Sequence, residues 1–286
     1  MPDLTGQVAF VTGAARGQGR SHALALAAAG ADIVAVDACA DVETAPYPLA
    51  TPADLESTVK EIEALDRRVV AVECDVRSSA GLDQAVERAV AELGRIDILV
   101  ANAGIWALGK LWELTEQQWQ EMLDINLTGA WRSVKAVVPT MIAQKSGAIV
   151  LTSSVNGFEA GPGMTHYVAA KHGVLGLMKN AAIELGPYNI RCNAICPGFV
   201  DTKMNEWQGA YDMMAGHEGG TPQDRVEAAY NWTALATRGA LSPASISRSV
   251  VFLASDDARD ITGVALSVDG GHAILPGLNT NPVRSL

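Results

Sequence analysis

No apolar run in this chain is long enough to span a bilayer, and the first one, Val8 to Val11, is too short and lacks the basic flank of a secretory signal. A cytoplasmic location is the expectation. Cysteine is sparse, with four residues at 39, 74, 192 and 196, in neither a disulfide framework nor a Cys-x2-Cys zinc pair. Cys192 and Cys196 fall on one predicted strand, facing the same side but too far apart to bridge, so buried free thiols and no metal are expected. Clusters of Lys and Arg are missing too, and a net charge of −11 argues against a nucleic-acid partner. There is no linker, internal repeat or low-complexity tract, so residues 1–286 read as a single domain. With 49% hydrophobic residues and 19% charged, the material for a large core is present.

What is there is an alternation of short β-branched runs with longer helical patterns. The runs are Val8 to Val11, Ile33 to Val36, Val69 to Val72, Ile98 to Ala101, Ile149 to Thr152, Ile190 to Ile195 and Val264 to Val268. Strands that are apolar throughout and separated by helices imply a parallel sheet covered on both faces, an α/β doubly wound Rossmann-type fold of seven strands. Ligands of such sheets sit at the carboxyl ends of the strands. Two stretches break the rhythm. Residues 38–53 form an insert whose prolines Pro46, Pro48 and Pro52 disfavour a helix there, and residues 199–237 gather Met204, Trp207, Tyr211, Met213, Met214 and Trp232 with weak periodicity, as a substrate lid would.

Gly13, Gly17 and Gly19 follow the first strand directly and precede an alanine-rich helix around Ser21 to Ala29. Small residues there let a pyrophosphate reach backbone N–H groups at the positive end of a helix, with Arg16 and Gln18 in the same turn. Asp37 closes the second strand, where a carboxylate can accept from adenosine ribose hydroxyls and repels a 2′-phosphate, so NAD is expected rather than NADP. Arg16 is the counter-signal, a basic residue that could meet such a phosphate or simply project into solvent. Further on, Tyr167 and Lys171 stand four apart, on one face of a helix, where an ammonium lowers the cost of a phenolate. A tyrosine so tuned can exchange a proton with an alcohol or carbonyl. His166 and His172 flank the pair and are turned off its face, as packing or surface residues. Asn126 falls inside a helical stretch from about Glu116 to Gln144, where a local side-chain bond is the plain reading. Asp75 could cap a helix, and Pro197-Gly198 could be only a turn.

The order and spacing of these elements, Thr12-Gly13-x-x-x-Gly17-x-Gly19, Asn102-Ala103-Gly104, Asn126, Ser154, Tyr167-x-x-x-Lys171 and Pro197-Gly198, resemble the short-chain dehydrogenase/reductase family from about residue 5 to 272. The resemblance implies a catalytic set of Asn126, Ser154, Tyr167 and Lys171. Tyr167 would be the acid/base, Lys171 its electrostatic partner and a ribose ligand, Ser154 the holder of the substrate oxygen, and Asn126 the anchor of a water leading from Lys171 to solvent. Ser154 is preferred to Ser153 because its distance to Tyr167 matches the family. The resemblance also implies an adenine contact from Asp75 and Val76, a brace at Asn102-Ala103-Gly104, and a nicotinamide carboxamide held by Val200 and Thr202 after Pro197-Gly198. A homotetramer is the family expectation, and the tail at 272–286 could cover a neighbouring subunit or fray.

Candidate pocket residues are Trp106, Asn156, Phe158, Met164, Met204 and Trp207, a lining suited to an apolar alcohol, cyclic or terpenoid ones included, although Met and Trp also fill cores. Gly13 through His22, with the insert ending Tyr47-Pro48-Leu49-Ala50-Thr51-Pro52, resembles the carveol-dehydrogenase-like, mycofactocin-coupled group. That implies an NAD-dependent secondary-alcohol dehydrogenase with tightly held NAD, its insert folded over the adenosine half, and mycofactocin as electron acceptor. An exchangeable-cofactor ketoreductase, of the 3-oxoacyl carrier-protein or hydroxysteroid type, is the alternative, with a non-catalytic nucleotide-binding module behind it.

Overall fold

The computed structural model describes residues 2–285. Seven strands, β1 (Val8–Thr12), β2 (Asp32–Asp37), β3 (Val69–Glu73), β4 (Ile98–Ala101), β5 (Gly147–Thr152), β6 (Ile190–Pro197) and β7 (Ala265–Val268), pair in parallel in the order β3-β2-β1-β4-β5-β6-β7. Each contains the run expected from sequence, apart from Val264 just before β7. Alternate residues of a strand point to opposite faces, and the core divides accordingly. Val8 and Phe10 pack with α3 (Ser79–Leu93), α5 (Gly129–Gln144) and α6 (Thr165–Leu185) on one face. Ala9 and Val11 pack with α1 (Gly17–Ala28), α2 (Pro52–Glu63) and α9 (Pro243–Ala254) on the other. Fully buried side chains such as Phe10, Leu26, Ile33 and Leu99 each contribute about 1.5–3 kcal/mol by leaving water.

Several local details depart from the expectation. The first helix starts at Gly17 rather than near Ser21, so the glycine turn is itself the helix start. Pro52 does not break a helix. It is the first residue of α2, where its missing N–H costs nothing, and Thr51 with Asp54 closes a capping box around it. The stretch from Glu116 to Gln144 is helical throughout, but between α4 (Glu116–Leu123) and α5 it widens into a π-helical turn, Asp124–Thr128, and Asn126 lies in that turn. Such turns mark places where a helix is re-aimed. The stretch 199–237, expected to act as a lid, contains two short helices, α7 (Gln208–Ala215) and α8 (Pro222–Ala228), which the weak periodicity hid. The tail beyond Gly271 packs on this stretch of its own chain: Thr237 N donates to Val283 O at 2.6 Å, and the Arg284 guanidinium lies 5.5 Å from the Tyr230 ring centroid. Leu286 lies outside the described residues.

Helices α1 and α9 meet around a buried polar knot. Ser247 Oγ is 2.8 Å from His22 Nδ1 and 2.7 Å from Ser21 Oγ, while donating to Pro243 O. Burial pushes the His22 imidazole down to about 3, so it is neutral and needs a neutral partner. Ser247→Ala would strand the buried His22 Nδ1 and take a partner from the half-buried Ser21 hydroxyl. The expected cost is about 1–3 kcal/mol, read as a lowered denaturation midpoint at unchanged slope in urea.

Candidate active site

The chain leaves β1 and β4, neighbours in the sheet, towards opposite sides, and a cleft of about 530 Å³ opens at their carboxyl ends. Thr12 pins the seam: its hydroxyl accepts from Asn102 N (3.0 Å) and Ala103 N (3.1 Å), and its carbonyl accepts from Asn102 Nδ2 (3.1 Å). The cleft is lined by Gly13, Arg16, Gly17, Gln18, Gly19, Asp37, Asp75, Val76, Asn102, Ala103 and Gly104 toward one end. Asn126, Ser154, Asn156, Met164, Tyr167, Lys171, Pro197, Gly198, Val200, Thr202 and Met204 line it as well, with Trp106.

At the glycine end, α1 begins with no side-chain cap and no acidic residue in its first turn, so its N–H groups face the cleft uncompensated. A Cβ on Gly19 would stand 1.9 Å from Gly13 O, so only glycine allows the turn to fold this tightly. Gln18 Oε1 and Thr152 Oγ1, both in the lining, are buried without a hydrogen-bond partner among the described residues. Orphaned polar atoms, bare helix N–H groups and a backbone that only glycine permits fit a dinucleotide. Arg20 holds the turn from behind, donating to Ala15 O, Asp54 O and Thr58 Oγ1 at 2.6–3.0 Å.

Asp37 accepts from Ala15 N (2.9 Å) and Cys39 N (3.1 Å), one bond on each oxygen, which leaves a lone pair on each for a ligand hydroxyl. Arg16 does not project freely into solvent. Its guanidinium donates to Pro48 O at 2.7 Å and lies 5.9 Å from the Tyr47 ring centroid. Tyr47 is buried, and its hydroxyl accepts from Trp106 N at 2.8 Å. Thr44 donates to Glu121 Oε2 of α4 (2.6 Å), and Gln117 donates to Glu43 (3.0 Å). The insert therefore forms a strap from the end of β2 over the glycine turn to the segment after β4. Tyr47 was not singled out as a site residue, since an aromatic between two prolines carries no periodic signal. Asp75 caps no helix: Ser78 caps α3, and the Asp75 carboxylate is taken by Arg77, through its N–H (2.8 Å) and its guanidinium (2.6 Å).

At the other end Lys171 is buried and donates Nζ to Thr152 O at 2.9 Å, with the ammonium 5.5 Å from the Tyr167 ring centroid. Burial pushes the Tyr167 phenol up to about 12, against a pull downward from the Ser154 hydroxyl beside it. Burial also lowers Lys171 to about 8. The two serines divide their work: Ser153 Oγ donates to Lys171 O (2.9 Å) on the helix backbone, while Ser154 faces the phenol. Asn126 spends its side chain on structure, accepting from Ile105 N (3.2 Å) and donating to Ile105 O (3.0 Å) and Met122 O (3.1 Å). A Cβ on Gly104 would stand 2.5 Å from its Oδ1, so the Asn-Ala-Gly turn and the π-helical turn interlock. His166 is buried, His172 is exposed, and neither lines the cleft.

Two expected pocket residues lie elsewhere. Phe158 is 48% exposed and outside the cleft, because the short turn Val155–Gly157 carries the chain outward after Asn156. Trp207 stands behind Trp106, ring centroids 5.2 Å apart and edge-on, and supports the lining without joining it. Trp232, which the sequence placed only in the lid, does line the cleft.

Residues 7–211 match the family model for short chain dehydrogenases. The chain belongs to the short-chain dehydrogenase family. It is 46% identical over 270 residues to an uncharacterised NAD-dependent oxidoreductase of Mycobacterium tuberculosis, covering 94% of this chain and 96% of the relative. To (-)-trans-carveol dehydrogenase of Rhodococcus erythropolis it is 42% identical over 276 residues, covering 96% and 100%. The crystal structure of carveol dehydrogenase from Mycobacterium avium in complex with NAD superimposes with a TM-score of 0.93 at 45% identity, covering 96% of this chain and 100% of that one.

Gly19→Ala is expected to displace the turn from Gly13 and to weaken NAD binding at least tenfold, measured by calorimetric titration, while the thermal transition shows that the sheet still folds.

Proposed function

We propose that this protein is an NAD-dependent oxidoreductase that interconverts an apolar secondary alcohol and its ketone, with NAD held under the insert. The observation that carries this reading is one cleft with bare α1 N–H groups at one end and Ser154, Tyr167 and Lys171 at the other. Asp37 favours NAD over NADP: its carboxylate faces the cleft from the end of β2, where it would repel a 2′-phosphate. Arg16, the one basic group of the glycine turn that could have offset this, is drawn to Pro48 and Tyr47. Carveol dehydrogenases among the relatives support a cyclic, terpenoid-like alcohol.

NAD, when bound, supplies the hydride acceptor at C4 of its nicotinamide. Gly13, Arg16, Gly17, Gln18, Gly19, Asp37, Asp75, Val76, Asn102, Ala103 and Gly104 would hold its adenosine and pyrophosphate. Pro197, Gly198, Val200 and Thr202 would hold the nicotinamide end, with Lys171 on the ribose. In the oxidative direction Ser154 donates a hydrogen bond to the substrate oxygen, and the Tyr167 phenolate takes the hydroxyl proton as the carbinol C–H pair departs and the carbonyl forms. Near neutral pH a group at about 8 is mostly protonated, so Lys171 offers its positive charge where the phenolate must form. The Asn126 side chain is already satisfied by protein groups, so the water-anchoring role that the family resemblance implies for Asn126 would not fall to its amide.

The strap from Arg16 through Tyr47 to Trp106 supports slow release of NAD, since dissociation would require several contacts to break together. A cofactor that stays bound needs an external electron acceptor, which is the role mycofactocin would fill. A cytoplasmic homotetramer is the assembly consistent with the family.

Two measurements test this. Tyr167→Phe should lower kcat for a secondary alcohol by roughly 10²–10⁴-fold and leave NAD binding in place; undiminished turnover would remove Tyr167 from the chemistry. Deleting residues 40–50 should give a folded protein from which NAD washes out on gel filtration, whereas the intact chain keeps it. Equal retention by both would mean that the insert is not the clamp, and free exchange in the intact chain would return the exchangeable-cofactor reading.

A further inference from the structure

Trp232 closes the turn Ala229–Trp232 of the lid and lines the same cleft as Ser154 and Tyr167. Its indole stacks on the imidazole of His272, with ring centroids 4.8 Å apart and planes 13° from parallel. His272 Nε2 lies 2.7 Å from Glu159 Oε1, on the loop that leaves Ser154. His272 Nδ1 is buried without a partner among the described residues, so the bond to Glu159 is what sets the plane of the imidazole. The backbone is held as firmly as the ring. Asn279 donates its N–H to Asn231 O (2.7 Å) and its Nδ2 to Thr233 O (2.9 Å), bracketing Trp232 from both sides. Ala234 N adds a bond to Gly270 O at 2.9 Å.

We infer that Trp232 is a specificity-determining residue, a fixed flat wall for an apolar ring of the substrate, and that His272, Glu159 and Asn279 are positioning residues that hold it. The inference rests on reading the cleft as an alcohol site. An indole offers a broad apolar face with only two side-chain torsions to freeze, and here stacking and backbone clamps have frozen them beforehand. Met164, Met204 and Met213 also line the cleft, clustered around Tyr167, and adapt to what they meet, whereas Trp106 beside them is a second rigid ring, braced by Trp207. Discrimination by shape therefore falls on the rings that cannot adapt, and of these Trp232 is the one clamped by the tail. A cyclic alcohol has less freedom to lose than an open chain of equal carbon number when it lies against such a wall.

The test compares cyclohexanol with hexan-2-ol on the NAD-loaded enzyme and its variants. Trp232→Ala, with Trp232→Leu as a second variant should the first fold poorly, is expected to lower the ratio of kcat/KM for the cyclic over the open-chain alcohol by roughly tenfold or more, chiefly through KM. His272→Ala should lower the ratio in the same sense by several-fold, and His272→Phe, which keeps a flat ring under the indole, should recover part of that loss. An unchanged ratio in both Trp232 variants overturns the inference, as does a loss that falls equally on both alcohols through kcat. Recovery no better with Phe than with Ala removes His272 as the positioning group. If the wild-type enzyme oxidises neither alcohol, the functional reading fails, and calorimetric binding of cyclohexanone decides the wall separately. At least fivefold weaker binding in the Trp232 variants upholds it; equal binding, or none in any form, overturns it.

Discussion

The seam between β1 and β4 is the constraint on which the rest of the molecule depends. Two parallel strands whose chains depart in opposite directions must part at their carboxyl ends, and Thr12 limits how far by holding Asn102 and Ala103 with three hydrogen bonds. The opening is therefore of set width, narrow enough that a Cβ on Gly13 would stand 3.0 Å from Ala103 Cα and one on Gly19 2.7 Å from Asn102 Nδ2. The dinucleotide end and the catalytic end are built outward from this seam. Thr152, closing β5 one strand away, fixes Lys171 through its carbonyl, so the ammonium is located by the sheet and not by its own helix alone.

Upon this frame the insert adds a second layer of order. Its contacts reach the glycine turn through Arg16, the segment after β4 through Tyr47, and α4 through Thr44 and Glu43. None is strong alone, since a typical intramolecular hydrogen bond contributes only about 0.5–1.5 kcal/mol net. Their value lies in being made together by one short stretch of chain, which must be lifted as a unit. Arg16 illustrates the economy: the residue that might have served a 2′-phosphate is occupied with closing the strap.

The sheet was legible because parallel strands buried on both faces need short, continuous, β-branched apolar runs, and these recur at the spacing that intervening helices require. Most of the residues gathered in the cleft are those that motif spacing singled out, and of the two adjacent serines that line it, Ser153 turns its hydroxyl to the Lys171 carbonyl. Where the reading missed, the physics was directional. Pro52 was counted as a breaker, but at the first position of a helix proline breaks nothing. Phe158 and Trp207 are close in sequence to pocket residues, yet one points outward and the other stands behind Trp106. The tail was illegible for a different reason. It is held by carbonyl groups and isolated side chains spread over the lid, and such contacts leave no periodic trace.

The tail's grip on Trp232 has a consequence for how such a protein can diversify. His272 and Asn279 lie in the tail, whose only regular element is the single short turn His272–Ile274, and they reach the site through one residue, Trp232. Lineages could therefore explore new substrates by drift in an otherwise inert appendage, while the groups that move protons and hydride stay under undisturbed selection.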